Sequence, residues 1–246
     1  MRKVIAFTFL LLLFTGCTEK LVFENKEYNK TSSLPCEGPC PKVALKIPVA
    51  KNGAVADSIN HKVFSVLKEI IFFGEKPYEA TSYKTLLSSF IASYEQMKQE
   101  HPEDTFGWEG DVNGSIIYQS ENIINIEIEH YIFTGGAHGY SGKRSLIFDS
   151  KTGRTIDNKE LFKDVSAFSV LAEQLFRQKF GLKPTDEINS KGFMFEDDKF
   201  VLPQNIFFTA KGLLLLYNAY EIASYAEGAQ ELVIPYQVLN DHLAVR

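Results

Sequence analysis

Cysteine and tryptophan are scarce in this 246-residue chain, three of the first and one of the second. Only Cys36 and Cys40 lie beyond residue 17, so no four-thiolate metal site can form. Basic residues are also short, with 26 Lys and Arg against 31 Asp and Glu and a formal charge of −5. Phosphate binding needs clustered Lys and Arg, so nucleic acid is excluded as a partner. No apolar run reaches the ~20 residues that span a bilayer as a helix. Neither an internal repeat nor a low-complexity segment is visible. The common catalytic signatures are missing as well: no G-x-S-x-G elbow, P-loop, H-E-x-x-H or dinucleotide fingerprint occurs, and no cofactor is expected. What the chain does have is 45% hydrophobic residues, enough for a substantial core.

The first sixteen residues read as a leader. Arg2 and Lys3 precede the apolar run Val4 to Phe14, which gives way to Thr15, Gly16 and Cys17. Leu13-Phe14-Thr15-Gly16-Cys17 resembles a lipobox, with Phe14 where an aliphatic residue is usual. That resemblance implies that Cys17 carries a diacylglyceryl group and begins the mature protein, which places the body in the cell envelope on a lipid anchor. Thr18 stands where enteric lipoproteins kept in the inner membrane have an Asp, and this points to the outer membrane. The polar segment 17–35 reads as a flexible tether. In an oxidising compartment Cys36 and Cys40, separated by Glu37-Gly38-Pro39, are expected to form a disulfide.

Periodicity then divides the body. Val43 to Pro48 suggests a first strand. Val55, Ile59, Val63, Val66, Leu67 and Ile70 share one helix face, and Leu86, Leu87, Phe90, Ile91, Tyr94 and Met97 share another. From Phe106 to Phe148 the period becomes two: Ile124, Ile126, Ile128, His130 and Ile132 fall on one strand face, and Asn125, Glu127, Glu129 and Tyr131 on the other. Such alternation predicts an antiparallel sheet with one solvated or partner-facing surface. A helix capped by Asp164 follows, then strands over 206–209, 213–217 and 231–234. The fold class is α+β, an antiparallel sheet with helices packed on one side, in two closely associated halves at 36–129 and 130–246.

Five segments carry a resemblance. Tyr131-Ile132-Phe133-Thr134-Gly135-Gly136-Ala137-His138-Gly139, Phe148-Asp149-Ser150-Lys151-Thr152-Gly153-Arg154 and Glu160-Leu161-Phe162 come first. Tyr220-Glu221-Ile222-Ala223-Ser224-Tyr225-Ala226-Glu227-Gly228 and Val233-Ile234-Pro235-Tyr236 follow. In order and spacing they resemble the C-terminal extracytoplasmic domain of RsiV anti-sigma factors. The half from about Cys40 to Glu129 resembles the domain before it, which also precedes the catalytic domain of PdaC-type peptidoglycan deacetylases. The resemblance implies a receptor-like module whose ligand is a glycan, peptidoglycan or a lysozyme-like protein. Only Met1, Arg2 and Lys3 precede the apolar run, so no sigma-binding region is expected here, and no stretch resembles the deacetylase's catalytic motif.

Candidate binding residues are Trp108, Gly135, Gly136, His138, Tyr220, Glu221 and Tyr225: flat aromatic faces and a glycine loop that bares backbone amides. Tyr118, Tyr131 and Tyr140 are further aromatics of this kind. The glycines alternatively serve a positive-φ turn. Glu127 and Glu129, two apart on one strand face, with His138, form the candidate catalytic set for a peptidoglycan-sugar hydrolase or deacetylase. His130, set among isoleucines, reads as a core histidine, and His130 with His138 lacks a third ligand for a metal. A third possibility is an envelope assembly role without a small ligand.

Overall fold

A computed structural model describes residues 21–245 except Glu37 and Asp104, so Cys17 and the expected leader over residues 1–16 lie outside the described residues. Among the described residues eight strands and four α-helices run β1 (Val22–Thr31), β2 (Lys42–Lys51), α1 (Ala54–Ile70), α2 (Tyr83–Glu100), β3 (Glu109–Gln119), β4 (Ile123–Phe133) and β5 (Tyr140–Asp149). They continue with α3 (Val165–Lys179), β6 (Asn205–Phe208), β7 (Gly212–Tyr217), β8 (Gln230–Pro235) and α4 (Tyr236–Leu239). No described helix is long and apolar enough to cross a membrane.

The first five strands form one sheet in sequence order, and β6, β7 and β8 form a second. All pairs are antiparallel except β2 with β3. That parallel pair follows from the two helices between them, because a crossover through α1 and α2 returns the chain in the same direction. α1 begins after Gly53 at φ 85°, and the Asn60 side chain clamps the Ala50 N–H and C=O. α2 begins at a capping box of Ser82 and Thr85. Ile59, Val63 and Leu67 of α1, with Leu86 and Phe90 of α2, bury against Leu45, Ile47, Ile126 and Ile128 of the sheet. The helices thus lie on one face of the large sheet, as the sequence pattern predicts.

Residues 17–35 do not behave throughout as a tether. Val22–Thr31 pairs along its whole length with β2, from Val22 opposite Lys51 to Thr31 opposite Lys42. Its polar composition is that of an edge strand, with Glu24 and Glu27 paired to Lys51 and Lys46. Cys36 and Cys40 are disulfide-bonded, with Cα atoms 5.4 Å apart. Their loop lies against Gly107, where a side chain would run into the Pro39 carbonyl.

β4 and β5 form the wall between two cores. Ile124, Ile126, Ile128, Leu146 and Phe148 belong to the core under α1 and α2. Ile123 and Ile147 belong to a second core with Phe168 and Phe176 of α3 and Ile206, Leu215 and Ile234 of the small sheet. The division expected between residues 129 and 130 therefore falls inside β4. The Asp149-to-Arg154 turn has a physical reason for its composition. The Asp149 carboxylate accepts from the Lys151 and Thr152 N–H groups and the Thr152 hydroxyl. Partial burial pulls its pKa up, but those bonds and Arg154 hold it below its ordinary value. Gly153, at φ 70°, comes so close to Val55 that a side chain would clash, and its carbonyl accepts from Ser58 of α1.

Three buried asparagines join the halves. Asn125 donates to Ser145 Oγ (3.0 Å) and the Leu146 carbonyl (3.1 Å) and accepts from the Phe208 N–H (2.8 Å). Asn218 accepts from the Lys143 N–H and donates to the Lys143 carbonyl, so its amide imitates a neighbouring strand on the free edge of β5. Asn205 accepts from the Ser145 N–H.

Candidate functional site

The face of β3, β4 and β5 opposite the helices carries polar side chains in register. Asp111 lies opposite Tyr131 and Asn113 opposite Glu129, while Glu129 and Tyr131 lie opposite Lys143 and Ser141. This is the solvated surface that the alternation predicts. Part of it is roofed by the small sheet, which leaves a cleft of about 320 Å³. Asp111, Glu129, Tyr131, Lys143, Asn218 and Glu231 are among the residues bordering it.

The β4–β5 connection adds aromatic groups beside this cleft. Gly135 and Gly136 have φ of 105° and 89°, the left-handed conformations that return the chain at the strand end, with open space where side chains would be. Gly139 packs against the Tyr131 ring so closely that a Cβ would lie 2.5 Å from it. The Gly139 carbonyl accepts from the Tyr225 hydroxyl at 3.0 Å and lies 2.9 Å from His138 Nδ1. That contact puts the proton of the neutral imidazole on Nδ1 and leaves Nε2 as an acceptor. The His138 ring stacks on Tyr225 at 3.8 Å and 13°, and Tyr225 stacks on Tyr220 at 5.5 Å and 29°. Tyr220 ends the ladder, 56% exposed, on a backbone at φ 71°. A left-handed aromatic residue costs free energy, and such conformations concentrate at functional sites. Glu221 is tied to the same unit through Asn218 Nδ2 at 3.0 Å. Burial, then the Glu221 carboxylate, raises the pKa of both Tyr140 and Tyr217.

Of the candidate binding residues, the structure thus brings His138, Tyr220, Glu221 and Tyr225 together, with Gly135 and Gly136 shaping the loop that carries His138. Trp108 is a correction. It is 1% exposed in the first core, with its ring against Phe73, Phe90 and Tyr94. The disulfide loop closes on Gly107 beside it, and the Trp108 carbonyl accepts from the Lys42 N–H. Glu127 and Glu129 do share a strand face, but the Lys143 ammonium lies 3.3 Å from one and 3.8 Å from the other. Among the described residues no hydrogen bond or ion pair links either carboxylate to His138, so the catalytic set is not assembled as a unit. His130 is a buried histidine, 7% exposed, whose Nδ1 finds no hydrogen-bond partner among the described residues. Burial first, then the Arg144 guanidinium, lowers its pKa to about 4. Among the described residues no three His, Cys, Asp or Glu side chains converge as a metal site requires.

Asp111, Asn113, Lys143, Asn218 and Glu231 carry no local mark in the sequence, because only the strand register and the docking of the small sheet bring them together.

Residues 35–141 match the family model described as deacetylase PdaC, and residues 159–237 match the one described as a protein of unknown function, DUF3298. No curated protein is significantly similar to the chain. Among solved structures, a DUF3298 family member from Bacteroides fragilis is 21% identical with a TM-score of 0.70, covering 91% of this chain and 94% of its own. A DUF3298 family protein from Pseudomonas aeruginosa is 22% identical with a TM-score of 0.64, covering 92% and 94%. At these identities the likeness is one of fold. The two matched ranges follow the order of the two halves and leave most of β5 and its turn between them. The chain is therefore similar to the PdaC model over its first half and to the DUF3298 model over its second, and it shares the fold of solved DUF3298 family members.

Proposed function

We propose that this protein is a cell-envelope lipoprotein, anchored through acylated Cys17, whose folded body is a non-catalytic binding module for a cell-wall glycan. The observation that carries the binding reading is the His138–Tyr225–Tyr220 ladder, with its outermost ring held exposed on a left-handed backbone. Stacked rings give a sugar flat apolar faces, and Glu221 and the polar cleft supply hydrogen-bonding groups for hydroxyls. Purified protein lacking residues 1–17 is expected to be retained on isolated peptidoglycan. No retention at high protein concentration removes the glycan reading.

A second reading has its own support. Asp111, Glu129 and Glu231 outnumber Lys143 around the cleft, so a basic protein of the lysozyme kind finds complementary charge there. Retention on immobilised lysozyme, declining with added salt, is its signature. The anchor is tested separately. Cys17→Ser is expected to move nearly all of the protein from the membrane fraction to the soluble fraction, and an unchanged distribution contradicts the lipid assignment.

A further inference from the structure

A second cleft, of about 350 Å³, lies between α1, β5 and the start of β6, and it shares no bordering residue with the first. Lys62 of α1 and Arg144 of β5 both border it and are half-buried, and neither forms an ion pair among the described residues. Arg144 lies opposite Ile128, which places it on the helix-bearing face toward α1. The third group is Asn205, 2% exposed, which also borders the cleft. Its orientation is fixed, because the Ser145 N–H needs an acceptor and Oδ1 supplies it at 3.1 Å. Nδ2 is left buried with no hydrogen-bond partner among the described residues. An orphaned buried donor is costly and is rare in folded proteins.

We propose that this cleft is a binding site for a small carboxylate-bearing sugar of the uronate type, its carboxylate held between Lys62 and Arg144 with Asn205 Nδ2 as the third donor. Lys62, Arg144 and Asn205 Nδ2 all donate, so a ligand that engages the three must present acceptor oxygens. The rim decides between anions. Glu69 and Asp157, both exposed, stand at its edge, and they repel a dianionic phosphate more than a monoanionic carboxylate. The same carboxylates accept from ligand hydroxyls, which a sugar supplies. The volume suits a ligand of this size. Nothing in this assignment depends on the aromatic ladder.

The test is calorimetric titration of the full chain, purified in a non-ionic detergent, with D-glucuronate, D-glucose and glucose 6-phosphate. Glucuronate is expected to bind saturably and more tightly than either of the others. Lys62→Gln and Arg144→Gln, both at partly exposed positions, are each expected to weaken glucuronate binding by about tenfold or more, the usual scale for a charge-assisted hydrogen bond. Asn205→Asp keeps the acceptor for Ser145 but replaces the donor with a negative charge, and it is expected to abolish binding in protein that still unfolds cooperatively. Four results overturn the proposal: no binding of glucuronate, equal binding of glucose, tighter binding of glucose 6-phosphate, or unchanged affinity in Lys62→Gln and Arg144→Gln.

Discussion

Asn125→Ala is expected to lower the stability of the body by roughly 3 kcal/mol, since it opens a cavity and leaves the buried Phe208 N–H without an acceptor. Asn125 is fully buried at the point where β4, β5 and β6 meet, and its three hydrogen bonds reach both strands. The loss should not be spread evenly. Amide exchange in β6, β7 and β8 is expected to rise more than in β1 and β2, which touch the first core alone. Urea unfolding with amide exchange measures both. A loss under about 1 kcal/mol, as for an ordinary surface change, contradicts the view that this side chain joins the halves.

The second large effect concerns pH. His130 has a pKa near 4 in the folded chain against 6.5 for an unperturbed imidazole. Between those values the unfolded chain binds more protons than the folded one, so stability falls as the pH drops through about 6.5 and levels off below about 4. Across that window the loss amounts to about 3 kcal/mol. Carboxylates titrate nearby, so a variant isolates the histidine. His130→Leu removes a buried ring whose Nδ1 makes no well-formed hydrogen bond among the described residues, and it is expected to unfold within about 1 kcal/mol of the parent at pH 7.5. At pH 4.5 it should be the more stable of the two, by on the order of 2 to 3 kcal/mol. Parallel acid dependence in the two proteins contradicts a neutral buried imidazole.

Much of the architecture is legible in the residues. The apolar stripes of α1 and α2 need no partner to be recognised, because Ile59, Val63, Val66, Leu67 and Ile70 already mark one face. β4 is legible for the same reason at period two. β1 is not. Its sequence, Val22-Phe23-Glu24-Asn25-Lys26-Glu27-Tyr28-Asn29-Lys30-Thr31, is as polar as a linker, and only β2 gives it a reason to be extended. The parallel pairing of β2 with β3 is likewise fixed by the crossover and by nothing local.

The site divides in the same way. His138, Tyr220, Glu221 and Tyr225 stand out as aromatic and polar residues in glycine-punctuated loops, and loops are where binding groups collect. Trp108 misleads because a lone tryptophan at a segment edge resembles a binding face, whereas the Cys36–Cys40 loop beside Gly107 and the rings around it leave it buried. Asn205 and Asn218 carry no local signal at all. Their importance comes from the free edge of β5, whose backbone groups they satisfy.

The most direct measurement is the affinity of soluble peptidoglycan fragments for the parent protein and for Tyr220→Ala. Tyr220 is exposed and outside both cores, so the variant should fold as the parent does. If the ladder is the binding surface, loss of its outer ring weakens the fragments by about tenfold or more. Equal affinity of the two proteins contradicts it.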